Sequence, residues 1–415
     1  ALAGPVSDRF RALTGGRYGT LELGTHLQAE GVTVAGEVRE IGAGITLLPH
    51  AMRELSDLGL QPQLEAQAIE NLESVFFNRY GQFIYKEPRG RHAGYALPEL
   101  GIHRGKLHRI LYDEALARLG ADRIHTGYRC VGVDQDENGA TIRFADSATG
   151  VAREPVRADV VIACDGVRSA VRKQFYPDEK VAFAGINTWR GVTKHKPILT
   201  GKSYIRVGTI ETGKMVIYPI IDKLDDDGMQ LINWTTEIQG DATDMNDWNQ
   251  KGKAADFAEI FKDWNFPWLD VPALIANSEE ILEYPMVDKD PVAQWTFGRV
   301  TLLGDAAHPM YPRGSNGSAQ ALIDGRTLAD QLQQHADPLA ALKSYEDLRL
   351  KTTGKIVETN RSTPPDFIIM KADELSGGKP FGKIDDLISQ EELRKIAENY
   401  ANIAGFSQAA LKAAA

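Results

Sequence analysis

The chain has 415 residues, of which 43% are hydrophobic and 25% charged, with a formal net charge of −10. That length holds two or three domains with a sizeable core, and the acidic balance argues against a nucleic-acid binder. Two cysteines far apart, Cys130 and Cys164, make neither a disulfide framework nor a metal cluster, and no apolar run is long enough to span a bilayer. A cytoplasmic location is expected, since no basic segment followed by an apolar one opens the chain. The first residue is Ala1 rather than Met, the mark of a processed, engineered or incomplete start.

In chain order, residues 8–13 (DRFRAL) make a poor first strand, because Arg9 and Arg11 would enter a buried parallel sheet. The turn at 14–19 (TGGRYG) is an equally poor phosphate cradle, crowded by Arg17 and Tyr18. From Arg39 the pattern is cleaner. Pro49 suits the first turn of a helix whose apolar face is Met52, Leu55 and Leu58, and Gly59 is placed to stop it. Residues 72–85 alternate as strands around a turn at 80–82. His103-Arg104-Gly105 opens a helix with Leu107, Ile110, Leu111, Ala115 and Leu119 on one face. Asn138-Gly139 between two apolar-rich runs predicts a hairpin. Residues 159–166 (DVVIACDG) read as a buried strand ending in a carboxylate, Asp165, and a glycine, Gly166, that permits close approach. Residues 182–285 alternate and are rich in Trp and Tyr, which predicts a mostly antiparallel sheet with one apolar face. Strands are expected at 188–191, 215–219 and 231–236, and a partly exposed helix at 247–269. Trp189, Tyr218 and Trp234 are natural core residues of such a sheet.

The most informative stretch is 298–326. Val300, Leu302 and Leu303 form an uncharged apolar run suited to a buried strand. Gly304-Asp305 puts a carboxylate at its end. A loop with Pro309, Pro312, Gly314 and Gly317 follows, feeding a helix marked by Ala319, Leu322, Ile323 and Leu328. A helix entered from such a loop offers free N–H groups and the positive end of its dipole to an electron-rich group. The tail predicts a helix to about Gln334, another from Pro338 to about Gly354, and a third with Ser389 and Glu392 as a capping box and Leu393, Ile396, Ala397 and Tyr400 as its apolar stripe, ending at Gly405.

GDAAHPMYP followed by GSNG resembles the second flavin-binding motif of class A flavoprotein monooxygenases, the para-hydroxybenzoate hydroxylase superfamily, and in particular its phenazine-modifying FAD-dependent hydroxylases. CDGVRSAVR resembles the middle motif of that family, and REIGAGITLLPHAMRELSDLGL a segment near its start; the resemblance covers nearly all of the chain from Arg39. It implies an α/β fold: a Rossmann-like, glutathione-reductase-type FAD-binding domain with an inserted, mostly antiparallel substrate sheet and C-terminal helices. The implied division is FAD-binding domain at 1–70, 101–180 and 286–365, substrate-domain strands at 71–100 and 181–285, and a helical segment at 366–415.

By position, the resemblance puts Gly304 and Asp305 at the ribityl and pyrophosphate region of FAD, and Pro312, Gly314, Asn316 and Gly317 against the isoalloxazine. Arg104 inherits a phosphate contact, which suits a guanidinium fork. Asp165 and Gly166 support both FAD and a passing NADH or NADPH. Gly44 lies in a turn that passes near the flavin, and the resemblance makes the sheet the roof of the flavin and Trp189, Tyr218 and Trp234 candidates to line the substrate pocket it shapes. Gly16 and Gly19 match the first dinucleotide turn, with Thr14 in place of its first glycine and Glu37 about 20 residues on at the ribose distance. Two readings stay open there: a degraded site, or residues at 14–19 that are not the native ones. The implied reaction reduces FAD with NADH or NADPH and passes one oxygen atom from a flavin hydroperoxide to a small aromatic ring. No catalytic side chain is assigned, His308 being as readily a structural turn residue, and no metal is expected. The implied partners are an aromatic substrate and molecular oxygen, with no nucleic acid and no membrane, in a monomer or homodimer. A flavin oxidoreductase without oxygen insertion and a non-catalytic ligand-binding relative are the alternatives.

Overall fold

The computed structural model describes residues 20–23, 29–33, 43–241, 250–405 and 407. Gly16, Gly19 and Glu37 lie outside them. Val161–Ala163 and Val300–Leu302 pair as parallel strands, Val161 beside Val300 and Ala163 beside Leu302. Thr296–Phe297 adds an antiparallel edge. Val161, Ala163, Val300 and Leu302 are buried, and Gly317–Gln334 and Pro338–Ser362 supply Leu328, Leu342 and Tyr345 to the same cluster. Continuous apolar runs are what a parallel pair covered by helices requires. Asp136 sits opposite Gly139, so a two-residue loop, Glu137-Asn138, closes the predicted hairpin.

The second layer is an eight-stranded sheet. From edge to edge its strands are Gln250–Lys251, Ile281–Asp288, Ala182–His195, Gln230–Gln239, Gly213–Ile221, Ser203–Thr209, Glu73–Phe77 and Phe83–Pro88. All neighbours are antiparallel except Ser203–Thr209 with Glu73–Phe77. Successive side chains point to opposite faces. Trp189, Ile205, Val207, Met215, Ile217 and Trp234 therefore share the outer face, where Phe257, Phe261, Trp264 and Leu274 cover them. Thr188, Arg190, Val216, Tyr218, Thr235 and Glu237 fall on the inner face.

Two expectations change. Residues 250–270 do not form the predicted helix: the described part is an edge strand, two short 3-10 turns and a tight hairpin, Asn265–Phe266 with Leu269–Asp270. A helix would present one stripe, whereas this segment spreads Phe257, Phe261, Trp264, Phe266 and Leu269 over a broad sheet face. Pro338–Ser362 runs two turns past Gly354. Ile356, Val357 and Asn360 beyond it are buried, which offsets the roughly 1 kcal/mol that a helical glycine costs. The last helix, Gln390–Ile403, carries the predicted capping box, with Leu393 and Tyr400 buried. Among the described residues no helix is long and apolar enough to cross a membrane.

Candidate active site

The parallel pair ends with both strands side by side, the Leu303 N–H donating to the Ala163 carbonyl at 3.0 Å. The chain segments leaving them, Cys164 to Gly166 and Leu303 to Asp305, consequently border one cavity of about 440 Å³. Gly44 to Thr46 and Arg104 form another side. The roof is the inner face of the large sheet, and the remaining wall is the loop from Met310 to the start of Gly317–Gln334.

Of the residues singled out in the sequence, Gly44, Arg104, Gly166, Gly304, Asp305, Pro312, Asn316, Gly317 and Tyr218 border this cavity together. Asp305 is exposed to it. Gly166 (φ 80°) and Gly304 (φ 61°) adopt the left-handed backbone that glycine permits. Gly44 answers a packing need as well. A Cβ there would lie 2.8 Å from Ile220 and Tyr218, and its N–H donates to Asn233 Oδ1 at 2.7 Å.

Four of the singled-out residues, Asp165, Gly314, Trp189 and Trp234, do not border this cavity. The Asp165 carboxylate accepts from the Ala170 N–H at 2.8 Å, at the start of the helix Ala170–Phe175 that Ser169 caps, and so ties down the turn that carries Gly166. Gly314 borders a second cavity rather than the first. Trp189 and Trp234 lie on the sheet's far face. Trp189 stacks on Phe257 at 5.0 Å, and Trp234 donates its indole N–H to Thr193 and Ser278. Neither reaches either cavity, because the two-residue period turns them away from Arg190 and Thr235 beside them.

The wall loop is held residue by residue. Asn360 donates to the Tyr311 carbonyl at 3.2 Å. Arg313 pairs with Asp366 at 3.1 Å. Ser315 Oγ meets Tyr204 Oη at 3.1 Å, and Asn316 Oδ1 meets His50 Nε2 at 2.7 Å. Below it, Asp324 accepts from Gly304 N–H at 3.1 Å and from Arg349 at 2.7 Å, and it also bonds His308. Burial opposes ionisation of Asp324, but His308 and Arg349 outweigh it and its carboxyl is held below the usual range. His308 is thereby a buried structural partner. Gly304, His308, Tyr311, Ser315 and Asn316 belong to the motif, but their partners Tyr204, Arg349, Asn360 and Asp366 carry no recognisable local motif.

Burial lowers His50 to about 4, the more so with Arg53 and Arg349 near, against the bond to Asn316. Its folded pKa lies below its unfolded one. Its contribution is therefore complete above about pH 6.5 and is lost as pH falls toward 4, worth about 3 kcal/mol. His50→Gln, uncharged at every pH, should remove about that much of the loss between pH 7 and 4 in urea unfolding. An unchanged pH dependence would refute the assignment.

A second cavity of about 530 Å³ lies across the loop. Phe76, Tyr85, Tyr400, Arg89, Arg206 and Gly314 border it. Arg89 is paired with Glu99 and Glu87. Arg206 is only 4% exposed, its guanidinium donates to Ser74 Oγ at 2.6 Å and lies against Phe76 and Tyr204, and no carboxylate among the described residues pairs with it. A buried cation without a counter-ion is costly, and Glu87, Glu99, Glu398 and Arg394 also border this cavity. Gly314 sets the cavity's edge, since a Cβ there would lie 1.5 Å from Tyr400 Oη.

A sheet roofing a parallel strand pair, with an acidic strand end and a helix N-terminus in one cavity, defines an α/β nucleotide-cofactor enzyme. The chain belongs to the FAD binding domain family, whose model matches residues 38–360, and FAD is its cofactor. It is 36% identical over 359 residues to phenazine 1,6-dicarboxylic acid hydroxylase PhzS of Lysobacter antibioticus, covering 84% of this chain and 88% of that one. It is 28% identical over 327 residues to 6-hydroxynicotinate 3-monooxygenase of Bordetella bronchiseptica, covering 76% and 80%. In fold it matches Klebsiella pneumoniae HpxO complexed with FAD and uric acid, at a TM-score of 0.68 and 22% identity over 90% of this chain and 89% of that one. The class A flavoprotein monooxygenase resemblance and the expected α/β fold with an antiparallel sheet and C-terminal helices both hold.

Proposed function

We propose that this chain hydroxylates a small aromatic or heteroaromatic acid, using FAD, NADH or NADPH, and molecular oxygen. The observation that carries the reading is that two cavities share one wall, the loop from Pro312 to Gly317: one has cofactor features, the other an unpaired buried cation among aromatic rings. In this reading Asp305 accepts from the ribityl hydroxyls, Arg104 pairs with phosphate, and Gly304 and Gly166 allow the chain to approach. Asp165 acts by holding the turn of Gly166. Pro312, Asn316 and Gly317 lie along the flavin ring, with the helix N-terminus toward its electron-rich edge, and Tyr218 faces the ring from the sheet. Gly16, Gly19 and Glu37 would serve the adenosine half. The division of the chain into FAD-binding segments at 1–70, 101–180 and 286–365 around a substrate sheet is part of the same proposal.

The substrate occupies the second cavity, its ring flanked by Phe76, Tyr85 and Tyr400 and its carboxylate at Arg206. Relatives named for phenazine dicarboxylic acid and hydroxynicotinate favour planar acids of that size. Bound FAD supplies the redox chemistry, taking electrons from NAD(P)H and activating oxygen. The protein's share is positioning: the loop stands between the substrate and the cofactor cavity, and the sheet and last helix wall the substrate cavity.

The test is a flavin spectrum of the purified protein, followed by a screen of phenazine, pyridine and benzene carboxylic acids for faster NAD(P)H oxidation under heavy oxygen gas. Labelled hydroxylated product is expected. Oxidised but unlabelled product would favour a dehydrogenating oxidoreductase, and a colourless protein that takes up no FAD would favour a ligand-binding relative. Arg206→Gln should raise KM for the acid by about 10- to 100-fold, the worth of one charge-assisted pair, and change KM for an uncharged analogue far less. Equal effects on both would remove Arg206 from the substrate site.

A further inference from the structure

Among the described residues three that are not glycine have a left-handed backbone: Leu199, Lys223 and Ser315. Leu199 and Lys223 sit in exposed turns. Ser315, at φ 52°, borders the cofactor cavity. It ends the short turn Pro312–Gly314 and directly precedes Asn316 and the helix N-terminus at Gly317. Strain of this kind persists only where neighbours impose it. The neighbour here is Tyr204, whose Oη lies 3.1 Å from Ser315 Oγ. Tyr204 is itself rigidly seated. It is 6% exposed, its ring stacks on Tyr218 at 4.8 Å and 13°, and the Arg206 guanidinium lies 4.4 Å from its centroid. Tyr204 thus stands at the boundary of the two cavities, next in line to residues of each.

We propose that Tyr204 is a positioning residue: its hydroxyl latches Ser315 in the left-handed conformation and so fixes the direction from which Asn316 and Gly317 meet the cofactor. The inference rests on the reading that the flavin ring lies in the first cavity. Three substitutions separate a latch from a merely structural contact. Tyr204→Phe keeps the stacked ring and removes the hydroxyl. Ser315→Ala removes the latch and keeps the strain. Ser315→Gly removes the latch together with the strain, because glycine adopts this backbone freely.

The measurements are FAD affinity by fluorescence titration and hydrogen peroxide released per NAD(P)H consumed with oxygen present. Tyr204→Phe and Ser315→Ala should each weaken FAD binding by about five- to tenfold and release more peroxide, as a loop free to leave its strained state would. Ser315→Gly should recover most of that loss, and adding Tyr204→Phe to it should change nothing further. Equal damage from Ser315→Ala and Ser315→Gly, or a silent Tyr204→Phe, would overturn the latch. Thermal unfolding of the FAD-free variants should rank Ser315→Gly above Ser315→Ala, and the reverse or equal order also counts against it. A wild-type protein that takes up no FAD would refute the cofactor reading, while the thermal ranking would still judge the latch.

Discussion

Replacing Lys214 by methionine is expected to cost about 3–5 kcal/mol of stability, because it strands buried charge. The Lys214 side chain is 1% exposed, with Nζ 2.8 Å from Glu237 and 3.1 Å from Asp366. Asp366 in turn pairs with Arg313 in the wall loop. Two carboxylates and two cations thus form a chain from the sheet to the loop. Burial works against ionised Asp366, yet Lys214 and Arg313 hold its carboxyl well below the usual range. Without Lys214, Glu237 in the cavity roof loses its ion-pair partner. A fall in the urea midpoint checks this, and Lys214→Met combined with Glu237→Leu should recover part of the loss by making the site apolar. A single variant as stable as wild type would show that the pair relaxes to water.

Asp305→Ala is expected to lower FAD affinity about a hundredfold, equal to one or two hydrogen bonds to a charged acceptor, while leaving the apoprotein within about 0.5 kcal/mol of wild type. The second half follows from exposure. Asp305 faces the cavity, and no side-chain partner within the described residues depends on it. Titrating apoprotein with FAD reads the first half, and thermal unfolding the second. Full flavin occupancy in the variant would remove Asp305 from the cofactor site. Unfolding of the apoprotein would make it a structural residue.

The two strand ends were legible because each is a contiguous signal. An uncharged run, a carboxylate and a glycine appear at 160–166 and again at 300–305, and the two runs pair in parallel with Val161, Ala163, Val300 and Leu302 buried and Ile162 exposed. The capping box at Ser389 and the proline at Pro49 were legible for the same reason. The roof was not. Both faces of the large sheet are covered, the outer by the 254–276 segment and the inner by the cofactor layer. No polar-outside alternation then marks which side chain of a pair such as Trp189-Arg190 or Trp234-Thr235 enters the site. Of the aromatic residues that drew attention Tyr218 borders the cavity, whereas in place of Trp189 and Trp234 their neighbours Arg190 and Thr235 do.

From sequence alone come the class of fold and the cofactor motif around Asp305, through the family resemblance those motifs carry, and the helix boundaries that proline and serine caps announce, which depend on residues within one turn of each other. Tertiary structure decided the facing of the sheet, the continuation of a helix through Gly354, the place of Arg206 as a buried cation, and the clamps on the wall loop from His50, Tyr204, Asn360 and Asp366. Those properties join residues far apart in the chain, and only packing brings a charge close enough to another group for its partner, or its want of one, to matter.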